Sequence, residues 1–168
     1  NNLRELFFGP QGSTLSTLNE LKDKFKNFTN YEIDIRDKEK VRQLISEIKP
    51  LSIIHTAAQP SHDKAASIPF IDFEVNALGT LNLLESIREY SKDTIFIHMS
   101  TNKVYGDNPN FLKMKELESR WEYDSEFFKV GINETMSLDN CTHSLFGVSK
   151  TASDLLVQEY GRYFDIPT

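Results

Sequence analysis

Cysteine is nearly absent from this chain, which carries only Cys141 among its 168 residues. A single cysteine forms no internal disulfide, and this fits a reducing compartment, so we predict a cytoplasmic protein. Long apolar runs are missing too, since no stretch approaches the roughly 18 residues that a membrane-spanning helix needs. The N-terminus has no apolar segment of the kind found in signal peptides. We therefore expect no membrane partner.

Basic charge is scarce and scattered. The 19 lysines and arginines are outnumbered by 25 aspartates and glutamates, giving a formal net charge of -6. A nucleic-acid-binding protein needs a basic face, so this composition argues against that class of partner. His62 and His98 lack metal-ligand spacing to other candidate ligands, and we predict no metal site.

Glycine-rich turns are also lacking. The segment Gly9-Pro10-Gln11-Gly12 follows no strand, and a proline occupies its turn, so it is not a Gly-x-x-Gly-x-x-Gly phosphate loop. Such a loop would lie upstream of Asn1. Because the chain also lacks an initiator methionine and stops just after a helix, we expect an internal fragment of a longer protein.

Hydrophobic periodicity predicts helices alternating with strands. Residues 1–16 are predicted to be mostly loop, and residues 108–141 are predicted to be a long insertion with a short helix over 112–121. The last helix is predicted to bury Leu145, Val148, Leu155, Leu156, Tyr160 and Phe164. The predicted helices are 14–25, 38–49, 69–90 and 144–164, and the predicted strands are 28–35, 51–58 and 94–99.

This alternation predicts the α/β class, with a doubly wound parallel sheet covered on both faces. Ligands of such sheets bind beyond the carboxyl ends of the strands. The three predicted strand ends are Asp34-Ile35, Ala57-Ala58-Gln59 and Ser100-Thr101-Asn102. We expect the functional residues there.

A helical pair and a loop carry the strongest motif. Phe146 and Lys150 are four residues apart in Ser144-Leu145-Phe146-Gly147-Val148-Ser149-Lys150, so they share one face of the last helix. Thr101 stands at a strand end in Thr101-Asn102-Lys103-Val104-Tyr105-Gly106. Three further motifs precede them in the chain: Asp34-Ile35-Arg36-Asp37, His55-Thr56-Ala57-Ala58 and Asn76-Ala77-Leu78-Gly79-Thr80.

In this order, the motifs resemble those of the extended short-chain dehydrogenase/reductase superfamily, the NAD-dependent epimerases and dehydratases. The resemblance implies that residues 1–168 are part of an NAD-binding Rossmann domain, whose first βαβ unit and C-terminal substrate domain are missing. It also implies that Asn1 lies near the adenosine ribose. The residues implied to bind NAD are Asp34, Ile35, Ala57, Ala58, Gln59, Asn76 and Lys150.

The resemblance also implies catalytic positions at Thr101, Phe146 and Lys150. The superfamily has a tyrosine where this chain has Phe146; its lysine lowers the pKa of that tyrosine, which then accepts a proton from a sugar hydroxyl. The hydroxyl at the position of Thr101 holds the same sugar oxygen. Phenylalanine has no proton to exchange, and Tyr105, His143 and Lys103 remain open as alternative bases.

Within the superfamily, the motifs look most similar to those of the CDP-paratose/CDP-tyvelose 2-epimerases. Dehydratases carry an acidic pair after the threonine, whereas this chain has Asn102 and Lys103, which disfavours dehydration. The implied reaction is C2 epimerisation of a CDP-hexose through a transient keto sugar, with Thr101, Asn102, Lys103 and Glu134 as substrate contacts. The alternative is a pseudoenzyme that binds NAD or a nucleotide sugar. A homodimer through the helices 70–90 and 144–164 is also implied.

Overall fold

Two parallel strands form the centre of the structure, a computed structural model that describes residues 2–168. Strand β1 (Ser52–His55) pairs in register with β2 (Ile95–His98), so that His55 lies beside His98. The predicted role of Asn1 at the ribose lies outside the described residues. The helices are α1 (Leu3–Phe8), α2 (Leu15–Lys24), α3 (Lys38–Ile48), α4 (His62–Ala65), α5 (Pro69–Phe73), α6 (Gly79–Tyr90) and α7 (Ser144–Phe164).

Helices α3, α6 and α7 cover one face of the strand pair. Their apolar side chains form the core with Phe96 of β2 and Ile166, which follows α7. A parallel strand pair joined through a helical crossover is the α/β arrangement that the sequence predicts. The buried core residues are Val41, Ile45, Leu84, Ile87, Phe96, Val157 and Ile166.

Helix boundaries follow local chemistry. The Asp37 side chain accepts a hydrogen bond from the backbone N–H of Lys40 and caps α3, as its position before the apolar periodicity predicts. Helix α3 ends at Lys49 in the left-handed conformation, immediately before Pro50. The predicted helix over 69–90 is confirmed as α5 and α6, joined by a π-helical turn at Glu74–Leu78.

Three sequence predictions about secondary structure are wrong. Residues 1–16 contain α1 and a 3₁₀ turn at Pro10–Gly12 rather than loop alone. Residues 28–35 form no strand, because no described segment pairs with them. The predicted helix over 112–121 is instead an antiparallel hairpin of β3 (Met114–Glu116) and β4 (Trp121–Tyr123), in which Trp121 pairs with Glu116.

Two burial predictions are wrong in part. Within residues 2–168, the sheet is covered on one face only, since Ile54, Ile95 and Ile97 are exposed on the other. Helix α7 exposes Leu145, Val148 and Leu155, whereas Leu156, Tyr160 and Phe164 pack against the core as predicted. The buried residues of α7 are Phe146, Gly147, Ser149, Lys150, Ser153 and Val157. Polar side chains occupy the buried face because they bond to one another and to strand ends, which periodicity alone does not reveal.

No helix among residues 2–168 combines the length and the apolar character needed to cross a membrane.

Candidate active site

The loop after β2 packs directly against the beginning of α7. The Thr101 hydroxyl accepts a hydrogen bond from the Lys103 N–H at 3.3 Å and so caps a 3₁₀ turn at Asn102–Tyr105. A Cβ added to Gly147 would lie only 3.0 Å from the Lys103 carbonyl oxygen. The small residue at 147 therefore permits the close approach that brings Thr101 beside α7.

Lys150 projects from α7 toward the end of β2. Its side chain is buried, with 5% of the residue exposed, and Nζ donates a hydrogen bond to the Met99 carbonyl oxygen at 3.1 Å. Burial lowers the pKa of Lys150, while the charges of Asp154 and Asp72 oppose this shift. The structure thus holds the Lys150 ammonium against the backbone of Met99, which lies two residues before Thr101 at the carboxyl end of β2.

Phe146 is buried one turn before Lys150, with 9% of the residue exposed. The ring of His62 meets the Phe146 ring edge-on, with 6.3 Å between centroids and 69° between planes. The sequence pattern does not predict this contact, because the segment that contains His62 is polar and is predicted to be a loop.

A cavity of about 470 Å³ opens between the loop after β2, the 108–141 segment and α7. Three of the predicted substrate residues, Thr101, Asn102 and Glu134, line it, whereas Lys103 is not among its lining residues. Burial raises the pKa of Tyr105 in the same cavity, with contributions from Glu134 and Asp154. Sequence reasoning missed Asp154, although it lies one helical turn beyond Lys150 and its spacing would have placed it on this side of α7.

A second cavity of about 470 Å³ collects most of the predicted cofactor residues. Its lining includes Asp34, Ile35, Ala57 and Ala58. The Asp34 carboxylate accepts hydrogen bonds from Arg36 Nε at 3.0 Å and Nη2 at 2.8 Å, and these bonds lower the pKa of Asp34. The carboxylate is therefore an ionised acceptor at neutral pH.

The predicted cofactor residues Gln59 and Asn76 are fully buried in a polar network. The backbone N–H of Gln59 donates to Asn76 Oδ1 at 2.9 Å, and Gln59 Nε2 donates to Asp72 Oδ1 at 2.8 Å. Ser149 donates to the other Asp72 oxygen at 2.5 Å and accepts from Asn76 Nδ2 at 2.9 Å. Burial raises the pKa of Asp72, and the hydrogen bond from Ser149 opposes this shift.

This network of Gln59, Asp72, Asn76 and Ser149 joins the loop after β1 to the helix 69–90 and to α7, where Ser149 directly precedes Lys150. Sequence reasoning missed Asp72 and Ser149, because both read as ordinary polar helix residues. The π-helical turn at Glu74–Leu78 includes Asn76, whose side chain belongs to this network.

The Asn-x-x-Gly-Thr helix also anchors the turn that carries Asp34. Asn82 Nδ2 donates to the carbonyl oxygen of Ile35 at 3.0 Å. A Cβ added to Gly79 would lie 2.8 Å from Ile35 Cγ2, so the glycine lets this turn pack onto the helix. One helix therefore supports both cavities.

No group of three or more histidines, cysteines or acidic residues within 2–168 is arranged to hold a metal ion.

Comparisons with known proteins show relatives over nearly the whole chain. Residues 11–168 match the family model described as GDP-mannose 4,6 dehydratase. CDP-paratose 2-epimerase of Salmonella typhi is 39% identical over 142 residues, which are 84% of this chain and 40% of that protein. dTDP-glucose 4,6-dehydratase of Salmonella typhimurium is 27% identical over 176 residues, covering 99% of this chain and 44% of that protein. The chain thus spans about two fifths of the length of these relatives.

Solved structures show the same fold. The UDP-glucose 4-epimerase of Thermus thermophilus in complex with NAD superposes with a TM-score of 0.61 at 28% identity, covering 86% of this chain and 40% of that chain. A dTDP-glucose 4,6-dehydratase from Streptomyces venezuelae, with NAD bound, gives a TM-score of 0.69 at 21% identity, covering 98% of this chain and 48% of that chain.

Proposed function

Because the chain belongs to the GDP-mannose 4,6-dehydratase family of the extended short-chain dehydrogenase/reductases, we propose that it carries the catalytic loop and helix of an NAD-dependent nucleotide-sugar epimerase. The observation that carries this proposal is the approach of Thr101 to α7, where the buried Lys150 ammonium bonds to the end of β2. A buried cation without a role is costly to keep, so its retention favours a working site.

The proposed cofactor is NAD. The cavity at Asp34, Ile35, Ala57 and Ala58 supports it, because an ionised carboxylate accepts from the adenine amino group and small side chains allow close approach. We propose that the Lys150 ammonium bonds to the cofactor's ribose hydroxyls. Bound NAD would supply reversible acceptance of a hydride. Asn76 and Gln59 would support the site indirectly by holding other protein groups in place, since their side chains bond to those groups.

The proposed substrate is a CDP-hexose, and the proposed reaction is inversion at its C2. The 39% identity with a CDP-paratose 2-epimerase supports this choice. Thr101 and Glu134 line the substrate-sized cavity, where the threonine hydroxyl would hold the reacting sugar oxygen. Asn102 also lines it and offers an amide rather than a carboxyl group, so the acid needed to eliminate water is missing there.

The test uses the protein in its natural full length, supplied with NAD and a CDP-hexose labelled with deuterium at C2. We expect NMR to show the C2 epimer with the deuterium retained, because the hydride returns to the same carbon. Lys150→Met should lower kcat by about 10²-fold or more, given the usual size of such electrostatic contributions. Lys92→Met, at an exposed position, is the matched control and should not change kcat.

A 4-keto-6-deoxy product would show a dehydratase instead. Tight binding of NAD and nucleotide sugar without any turnover would favour the pseudoenzyme. The observation behind that alternative is Phe146, which has no proton to exchange.

A further inference from the structure

A titratable side chain contacts the Phe146 ring. The His62 ring meets it edge-on, with 6.3 Å between centroids. The His62 side chain keeps 47% of its surface exposed, and it lies on α4, which packs against α7. A neutral imidazole is the usual general base of proteins near neutral pH.

The orientation of this imidazole leaves one nitrogen open. His62 Nδ1 lies 3.1 Å from Asp63 Oδ1, and a carboxylate beside Nδ1 favours the tautomer that carries its proton there. Nε2 then presents a lone pair.

The Gln59 side chain restrains the backbone that precedes His62. Its Oε1 accepts a hydrogen bond from the Ser61 N–H at 2.5 Å, and its Nε2 donates one to the Ser61 carbonyl at 2.9 Å. Ser61 in turn caps α4 by accepting from the Lys64 N–H at 3.2 Å. Since Gln59 also bonds to Asp72, the position of His62 is tied to the same network that supports Lys150.

The other histidines are unsuited to this role. Burial lowers the pKa of His55 to about 3 and that of His98 to about 4, so neither accepts a proton near neutral pH. His143 Nε2 lies 2.7 Å from the Leu138 carbonyl, and its Nδ1 is buried, so neither nitrogen is open to a substrate.

Tyr105 is no better suited. Its raised pKa opposes the phenolate form, which a base requires.

We propose that His62 is the general base of the epimerisation, at the place where the superfamily uses a tyrosine on α7. The proposal rests on the proposed function. The C2 hydroxyl proton passes to Nε2 of His62 as the C2–H bond breaks, its electron pair leaves as hydride to the oxidised nicotinamide, and the C=O bond forms. On return, hydride adds to the opposite face of C2, and the imidazolium gives its proton back to the oxygen, so no net oxidation results.

The charged groups around His62 are few. Asp63 is the carboxylate bonded to it. Helices α5 and α7 pack against α4; on them, Asp72 bonds to Ser149 and Gln59, and Lys150 bonds to the Met99 carbonyl.

The decisive experiment is a rescue in the full-length protein. We expect His62→Gln to lower kcat by about 10²- to 10⁴-fold with KM little changed, the usual loss for a general base. Adding Phe146→Tyr to this variant should restore turnover and shift the acid limb of the kcat profile. Ser67→Ala, an exposed position just after the same short helix, is the control and should match wild type.

A second readout does not depend on turnover. Diethylpyrocarbonate should label the exposed His62, and CDP-hexose with NAD should slow this labelling, as read by peptide mass spectrometry. Wild-type turnover that His62→Gln leaves unchanged, or labelling that the ligands do not slow, would overturn the role of His62 and leave the epimerase proposal standing. Absence of turnover in wild type would overturn both.

Discussion

At the residue scale, the site depends on ionisable side chains held in their uncharged or partnered forms. His55 is buried at the end of β1, where its Nε2 pairs with the Thr80 hydroxyl at 2.9 Å. The His98 ring lies 5.5 Å from it across the strand pair. Two imidazoles this close would repel each other if both were charged, and burial penalises either charge.

These shifts predict how stability depends on pH. The unfolded histidines titrate near 6.5, whereas folding lowers the pKa of His55 to about 3 and that of His98 to about 4. Their contribution to the free energy of unfolding is therefore complete above pH 6.5 and is lost as the pH falls from there toward these lower values. For His55 we expect a loss of up to about 1.4 kcal/mol per pH unit, and less for His98, which solvent reaches.

Urea unfolding between about pH 7 and 5 measures this dependence, in a range where few carboxyl groups titrate. His55→Gln should make this dependence shallower. Equal slopes in wild type and His55→Gln would contradict the prediction.

At the element scale, the helix that includes α5, the π-helical turn and α6 organises the site. Its Asn76 end joins the polar network around Asp72 and Ser149, and its Asn82 side chain holds the carbonyl of Ile35. The Asp34 turn has no strand partner among the described residues, so this contact is a principal restraint on its position.

Asn82→Ala tests this restraint. The substitution leaves the Ile35 carbonyl without its donor, and we expect a loss of about 1–3 kcal/mol in the free energy of unfolding. NAD affinity of the full-length protein should fall with it. Asn27→Ala, at an exposed position outside the helices, should change stability by less than about 0.5 kcal/mol. Equal effects of the two substitutions would show that Asn82 does not anchor the turn.

Some elements could be predicted from sequence because their signals are local. The cap at Asp37, the stop at Lys49-Pro50 and the range of α7 all depend on neighbouring residues. The strand expected at 28–35 failed because a strand needs a partner, which is a property of the whole sheet. The hairpin at 114–123 was missed because its short strands carry little periodic signal.

At the scale of the whole molecule, the outward face of α7 exposes apolar side chains. Leu145 and Val148 are exposed there, and Val148 retains 48% of its surface. Phe70 and Phe73 are exposed on the neighbouring α5. Exposed apolar side chains on adjacent helices are typical of an interface between subunits. The homodimer expected from the sequence stays a prediction, and a substitution on this face tests it.

Val148→Asp tests this interface. A charge buried between two subunits is costly, so we expect the dimer dissociation constant to rise by about tenfold or more, equivalent to about 1.4 kcal/mol. Val130→Asp, at a residue that is 93% exposed in the 108–141 segment, should leave the dimer intact. Sedimentation velocity distinguishes these outcomes, and a wild-type protein that sediments as a monomer would contradict the interface.

The sequence alone determined the α/β class and the family, and it predicted a candidate site at Thr101, Phe146 and Lys150, because these depend on periodicity and on short motifs in a fixed order. Only the tertiary structure decided what surrounds them. The Asp72–Ser149 hydrogen bond and the contact of His62 with Phe146 join residues that are far apart in the chain. Burial and partners determine the charge of such groups, and neither can be read from spacing.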